Sequence, residues 1–179
     1  MAKNLETIVF DPSKFQKELK AFAQLLKSKS NLSEQEDIQP FFKQSKHLSA
    51  FMGTFSPNIG AATELAFNFP FFSDFSADVL LGKKNEREFC VVEFENGHGD
   101  SIFKKQPKRG NPEWSSRFDH GFSQMVDWFY NLDDVKKTEG FAKTFGHGHI
   151  TFTGLLIIGR SAGWTTPNVI GSSGGLKRF

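Results

Sequence analysis

Two apolar runs joined by a short polar segment constrain the fold of this chain more than any other feature. Residues 77–81 and 89–95 are rich in Val, Leu, Phe and Cys, while residues 82–87 between them are mostly charged or polar. This pattern predicts two β-strands connected as a hairpin with a polar turn. Runs as apolar as these are typical of strands that are covered on both faces, so a charge inside one of them needs a physical reason.

Three carboxylates interrupt these runs: Asp78 opens the first, and Glu93 and Glu95 close the second. Because strand side chains alternate, Glu93 and Glu95 project from one face, and a regular hairpin places Asp78 across from residue 92 or 93. Like charges at a strand end repel one another unless a cation binds or some of them stay protonated. Since Mg²⁺ takes oxygen ligands, the pattern indicates either a metal site for phosphoryl chemistry or strand-end acids in water.

Length, charge and cysteine content narrow the class of protein. The 179 residues suit one domain with a helical annex, which we place at residues 1–30, ahead of a main domain over residues 31–179. The net charge of +2 does not by itself indicate a nucleic-acid-binding protein. The lone Cys90, the missing signal-peptide pattern and the lack of a run approaching the roughly 20 apolar residues of a membrane span predict a soluble, cytoplasmic chain. The glycine-rich end at residues 171–175 lacks a core pattern, which suggests a truncated sequence.

Apolar residues at helical spacing predict three helices. The first runs over residues 12–27 with Asp11 as its N-cap, and the third over residues 116–132. The second begins at Ser33, where Glu36 completes a capping box by reaching back to the N-cap amide. The buried stripes are expected to be Phe15, Leu19, Phe22 and Leu26 in the first helix and Phe118, Phe122, Met125, Val126 and Phe129 in the third.

Two further strands are predicted. Residues 63–71 alternate, with Leu65, Phe67 and Phe69 expected on one face, and residues 150–158 are strongly apolar. The resulting order of elements is helix, strand, hairpin, helix and strand.

A basic segment follows the carboxylate strand directly. Residues 104–109 carry four cations, Lys104, Lys105, Lys108 and Arg109, in the only dense basic run of the chain. A nucleic-acid backbone near the acids would need this counter-charge. The segment therefore indicates either a nucleic-acid-binding loop or an ordinary solvated surface loop.

Five short segments, taken in their order and spacing, carry a family resemblance. They are Glu36-Asp37-Ile38-Gln39-Pro40-Phe41-Phe42, Asp78-Val79-Leu80-Leu81, Val92-Glu93-Phe94-Glu95, Ser123-Gln124-Met125-Val126-Asp127-Trp128 and Ile157-Ile158-Gly159-Arg160. In these segments the chain resembles the PD-(D/E)xK nucleases and, more specifically, the C-terminal nuclease domain of the Shedu anti-phage family.

The resemblance implies an α/β fold with a restriction-endonuclease-like core, in which a mixed central sheet is flanked by helices. It implies a metal-dependent DNA endonuclease in which Asp78 and Glu93 hold Mg²⁺ or Mn²⁺ and Gln124 orients water or phosphate. DNA is the implied partner, and related nucleases often act as homo-oligomers. Glu36 matches the acid of the family's opening helix, although its capping role explains it without catalysis.

One position departs from the family pattern, because Glu95 stands where the family carries its catalytic Lys. Glu95 could add a metal ligand or accept the proton of the attacking water, and Lys104 or Lys105 could supply the missing cation. A third possibility is a degenerate site that binds nucleic acid or a phage component without cutting it. A Phe-rich α/β interaction domain with incidental acids is the remaining alternative.

Overall fold

The computed structural model describes residues 5–72, 75–104, 113–146 and 149–160. In these ranges five strands form one mixed sheet whose spatial order follows the chain: the first four are antiparallel neighbours, and the fifth lies parallel to the fourth. The strands are β1 (Glu6–Thr7), β2 (Glu64–Phe72), β3 (Phe75–Lys83), β4 (Glu88–Phe94) and β5 (Thr151–Ile157). The predicted α/β class with a mixed sheet is confirmed.

Helices cover both faces of the sheet and bury a separate apolar cluster on each. The helices are α1 (Pro12–Ser28), α2 (Gln39–Gln44), α3 (Lys46–Phe51), α4 (Ser116–Val135) and α5 (Glu139–Phe145). Residues of α1, α2 and α3 pack in one cluster, and residues of α4 and α5 pack in the other. A π-helical turn (Glu34–Ile38) leads into α2. Among the described residues, no helix has both the length and the apolar character needed to cross a membrane.

The predicted hairpin is confirmed and forms the centre of the sheet. In the β3–β4 pair Val79 lies opposite Val92, and a 3₁₀ turn (Lys84–Glu86) connects the two strands. The turn ends at Arg87, whose φ of 59° is in the left-handed region. Cys90 is buried in this hairpin, and burial raises the pKa of its thiol to about 12.

Helix α1 confirms its predicted N-cap but not its whole buried stripe. The Asp11 carboxylate accepts hydrogen bonds from the amides of Ser13 and Lys14. Leu19, however, is 43 % exposed. The reason is that Glu18 faces the core side, where its carboxylate accepts a hydrogen bond of 2.7 Å from the Leu48 amide of α3. Phe15, Phe22 and Leu26 are half-buried and pack against the core, so the apolar stripe excludes Leu19, and no residue of α1 is fully buried.

The buried face of α4 also differs from the prediction. Phe122 and Val126 are 54 % and 50 % exposed, whereas Gly121, Trp128 and Leu132 are buried. Gly121 explains the rotation, since a Cβ atom there would lie 2.8 Å from Leu156 Cδ1 of the sheet. The missing side chain lets this face approach the sheet closely and leaves the Phe122 face outside.

Two local predictions need correction. Phe67 packs in the cluster on the α1 side, but Phe69 packs in the cluster on the α4 side. Between them Asn68 has a φ of 49°, which reorients the strand, so these two Phe side chains do not share one face. At the second helix, Ser33 does cap the Glu36 amide, but Asp37 rather than Glu36 accepts the hydrogen bond from the Ser33 amide, at 3.0 Å.

Candidate functional site

The acids of the hairpin meet at one end of the sheet. Continuing the β3–β4 register by one residue from the Val79–Val92 pair places Asp78 opposite Glu93. Beyond the end of β4, the Glu95 amide still donates to the Ile157 carbonyl at 2.9 Å, so Glu95 keeps the strand direction. Glu93 and Glu95 are only 7 % and 5 % exposed, which excludes the interpretation that they are strand-end acids in water.

Each oxygen of Asp78 is held by a different element. Its Oδ2 accepts a hydrogen bond of 2.9 Å from the Phe94 amide of β4. Its Oδ1 accepts one of 2.6 Å from Nε2 of Gln39, the first residue of α2. The same Gln39 nitrogen donates to Glu34 Oε1 at 3.1 Å. A single amide thus joins the acid of β3 to an acid of the π-helical turn.

Burial and mutual repulsion oppose ionisation of this cluster. Burial raises the pKa of Asp78, although the hydrogen bond from Phe94 works in the opposite direction. Burial also raises the pKa of Glu93, and the negative charges of Asp78 and Glu34 raise it further. For Glu34, burial and then the charge of Asp78 raise the pKa to about 7. A bound cation would reverse this balance and favour the ionised carboxylates.

Two buried acceptor atoms of the predicted site residues have no hydrogen-bond partner among the described residues. They are Oε2 of Glu93 and Oε1 of Gln124. Buried polar atoms in proteins are almost always paired, so an orphaned acceptor calls for a donor or a cation. Gln124 lies on α4 and is half-buried.

Glu95 forms a pair with a histidine of α4. Its Oε1 lies 3.0 Å from Nδ1 of His120. The Glu95 side chain passes over Gly121, where a Cβ atom would lie 3.1 Å from Glu95 Cγ. The Glu95 side chain is 6 % exposed and that of His120 is 66 % exposed. A neutral imidazole that donates from Nδ1 to the carboxylate carries its free lone pair on Nε2.

Two adjoining cavities open over these residues. A cavity of about 380 Å³ is lined by Glu34, Glu95, Asn96, Ser116, Arg117 and His120. A second, of about 400 Å³, is lined by His98, Asp100, Lys104, Ser115, Ser116 and Arg117. Because Ser116 and Arg117 line both, the first turn of α4 connects the acids with the cation of Lys104.

The predicted site residues are distributed as follows. Asp78, Glu93 and Glu95 come together at the sheet end. Glu36 is exposed, and the acid of its turn that enters the Asp78 network is Glu34. Lys104 is exposed at the second cavity. Lys105, Lys108 and Arg109 lie outside the described residues.

Sequence reasoning did not identify four residues of the site: Glu34, Gln39, Arg117 and His120. Gln39 lay inside a segment already matched to the family, but nothing marked its side chain as a link between acids. His120 precedes Gln124 by four residues, the spacing that places two side chains on one helix face. Because Gln124 was already a predicted site residue, this spacing was the signal that could have identified His120.

Most of the chain matches the model of a known protein family. A family model described as Shedu protein SduA, C-terminal, matches residues 31–166. Comparison with curated proteins and with solved structures found no match. The matched segment contains every residue that lines the two cavities and all the acids of the site.

Proposed function

This chain belongs to the Shedu family through the C-terminal domain of SduA, and from that premise we propose that it is a metal-dependent DNA endonuclease. Membership confirms the resemblance to the Shedu family that the sequence carries, and it suggests a role in anti-phage defence. The finer proposal is a PD-(D/E)xK site that hydrolyses phosphodiester bonds. The observation that carries it is the group of buried Glu93 with half-buried Asp78 and Glu34, in which one oxygen of Glu93 has no partner among the described residues.

The donor set suits a hard divalent cation. Among the described residues, no three Asp, Glu, His or Cys side chains converge closely enough to hold a metal by themselves. Mg²⁺ needs no such cage, since it commonly takes one or two carboxylates and fills its other positions with water and substrate phosphate. Asp78 and Glu93 would hold Mg²⁺ or Mn²⁺. Bound there, the ion would polarise the phosphate and lower the pKa of a coordinated water.

The protein's own groups fix the acids in place. The Phe94 amide donates a hydrogen bond to one oxygen of Asp78, and the Gln39 side chain donates one to the other. Such outer contacts orient metal-binding carboxylates, and their loss typically costs about 10–100-fold in metal affinity or activity. Asp78 therefore has a defined orientation before any ligand arrives.

The Glu95–His120 pair supplies a function for the position where the family carries Lys. Glu95 holds His120 through Nδ1, so Nε2 points its lone pair away from the carboxylate. In our proposal Nε2 accepts a hydrogen bond from the attacking water and orients it toward phosphorus. Glu95 acts through His120 and is a positioning residue. Gln124 remains proposed as the residue that orients water or phosphate from α4.

Arg117 and Lys104 provide the positive charge for the substrate. Both are exposed, and neither has a carboxylate within ion-pair distance among the described residues. Their cavities adjoin through Ser116 and Arg117, so a phosphate backbone leaving the acids meets Arg117 and then Lys104.

One observation favours the second candidate function, a module that binds nucleic acid without cutting it. Glu95 replaces a cation with an acid in a cluster whose repulsion is already high. If Asp78 and Glu93 stay protonated, the domain keeps its basic path but has no metal site.

Cleavage of supercoiled plasmid with Mg²⁺ or Mn²⁺ separates the two functions. We expect the wild type to cut and Asp78→Asn and Glu93→Gln to lose at least about 100-fold in rate, because each loses a charged ligand. Glu36→Gln is the matched control, since it neutralises an exposed acid of the neighbouring turn, and it should cut like the wild type. DNA binding without cleavage under either metal would establish the binding module instead.

A further inference from the structure

An aromatic column on the surface of the protein is not explained by the proposed site. Phe103, Trp114, Phe118 and Phe122 follow one another as near-parallel rings. Centroid distances along the column are 4.8, 4.2 and 6.0 Å, with interplanar angles of 20°, 15° and 6°. Trp114 and Phe122 are 50 % and 54 % exposed, so the column faces solvent. In contrast, rings such as Phe89, Phe141 and Phe145 are buried.

Cations accompany the column on the side of the acids. Lys104 follows Phe103 in the chain, and Arg117 precedes Phe118. Both side chains line the second cavity, which adjoins the cavity of Glu34, Glu95 and His120 through the shared residues Ser116 and Arg117. Exposed rings and exposed cations therefore lie together beside the proposed catalytic acids.

We propose that this column, with Lys104 and Arg117, binds unpaired nucleotides of a single-stranded nucleic acid. The inference rests on the proposed function and names the form of its substrate. Aromatic side chains stack on the faces of bases, and adjacent cations pair with the phosphates. The inner rings of the column already cover one another's faces, so the exposed ring of Phe122 at its end is the one that receives a base. A base pair inside a duplex hides its faces from such a surface, so the surface selects a single strand or a strand separated at a duplex end.

Charge sets the limit of this surface and argues against a phosphate path along the whole of α4. Beyond Phe122 the helix carries the exposed acids Asp127, Asp133 and Asp134, of which the last two form ion pairs with Lys136 and Lys137. Asp127 has no cation within ion-pair distance among the described residues, and it opposes a nucleic-acid backbone at this point of the helix. Tyr130, although 80 % exposed on the same helix, lies beyond Asp127.

Fluorescence and anisotropy without divalent metal test the inference independently of cleavage. The probes are an oligothymidylate of about 20 nucleotides and a blunt duplex of the same length, in EDTA. We expect tighter binding of the single strand and quenching of tryptophan emission. Trp114→Phe should keep the affinity but lose the quenching, because it keeps a ring in the column and removes the half-exposed indole that reports on the bound strand.

Variants of Phe122 distinguish stacking from general apolar contact. Phe122→Leu should weaken binding of the single strand by about tenfold, Phe122→Tyr should retain it, and Tyr130→Ala should have no effect. Arg117→Gln should weaken binding and reduce its salt dependence. The Phe122 side chain is mostly exposed, so these variants are expected to fold.

Three results would overturn the inference. They are equal affinity for the single strand and the duplex, wild-type affinity in Phe122→Leu, and a self-association that Phe122→Leu abolishes while oligonucleotide affinity is unchanged. The last would identify a second copy of the chain as the occupant. A protein that cuts DNA but shows one of these results refutes only this inference, whereas one that binds the oligonucleotide and never cuts refutes only the proposed nuclease activity.

Discussion

The side-chain amide of Gln39 donates a hydrogen bond of 2.6 Å to Asp78 Oδ1 and so fixes the first acid of the site from outside the sheet. The same nitrogen lies 3.1 Å from Glu34, so one neutral donor separates two carboxylates. Without Gln39, the acids would face each other with no donor between them. The orientation of Asp78 therefore depends on a residue that has no charge and no direct part in the proposed chemistry.

Removing this donor should impair catalysis without unfolding the protein. We expect Gln39→Ala to reduce metal-dependent cleavage by about 10–100-fold, which is typical for loss of a partner that orients a metal ligand. Gln44→Ala, an exposed Gln at the end of the same helix, is the control. Cleavage and metal affinity in Gln39→Ala equal to those of the control would show that Asp78 needs no such support.

If Glu95 acts through His120, the effect of His120→Ala on the cleavage rate should depend on the residue at position 95. His120→Ala should reduce cleavage by about 100-fold, in the range of a lost acid–base contribution. Glu95→Lys restores the family's residue, and in that background His120→Ala should have little further effect. The measurement is the cleavage rate of the four proteins of the double-mutant cycle. Equal effects of His120→Ala in both backgrounds would contradict the shared role.

Stability should fall as pH rises, because the acids of the site are harder to ionise in the folded state. The pKa of Glu34 is about 7 in the folded state against its ordinary value of 4.5, so between these pH values the folded state binds more protons than the unfolded state. By linkage, the free energy of unfolding decreases from about pH 4.5 through pH 7. Asp78 and Glu93 shift in the same direction and add to the effect.

Urea unfolding in EDTA at several pH values measures this slope. Glu34→Gln should flatten it and gain on the order of 1–2 kcal/mol at pH 8, a value reduced from the full shift because Glu34 is partly exposed. Glu36→Gln should keep the wild-type slope. A wild-type stability that rises over this pH range would mean that the acids are not held together as described.

Arg160 links the end of β5 to the first helix. Its guanidinium donates to the carbonyls of Leu26 and Lys29 at the C-terminal end of α1. Arg160→Ala should lower the free energy of unfolding by about 1–3 kcal/mol, because two carbonyls lose a charged donor. Arg160→Lys should recover only part of this loss, since an ammonium cannot reproduce the planar fork. Full recovery by Lys in urea unfolding would indicate a purely electrostatic contact.

The central strands could be predicted from the sequence because their periodicity and turn chemistry act locally. The hairpin, the caps at Asp11 and Ser33 and the grouping of Asp78 with Glu93 all follow from neighbouring residues. The buried face of α4 could not be predicted in this way. That face depends on the close approach of Gly121 to the sheet. A prediction based on the spacing of apolar side chains cannot detect this contact, because glycine has no side chain.

The acid of the opening turn illustrates the same limit. A capping-box pattern and a family match both selected Glu36, but the turn winds as a π-helix, and Glu34 is the acid that faces Asp78. Asp37 takes the capping contact expected of Glu36. Glu34 and Glu36 are two residues apart in the same turn. The path of the backbone decides which of the two carboxylates joins the site, and the sequence pattern does not show that path.

The most direct test of the account is a crystal of the protein soaked with Mn²⁺ and measured at the manganese absorption edge. We predict an anomalous peak at about 2.1–2.2 Å from carboxylate oxygens of both Asp78 and Glu93, which is lost in Glu93→Gln. A well-ordered site with no peak between these two carboxylates, in crystals that diffract well and contain Mn²⁺, would contradict the claim that they hold the metal.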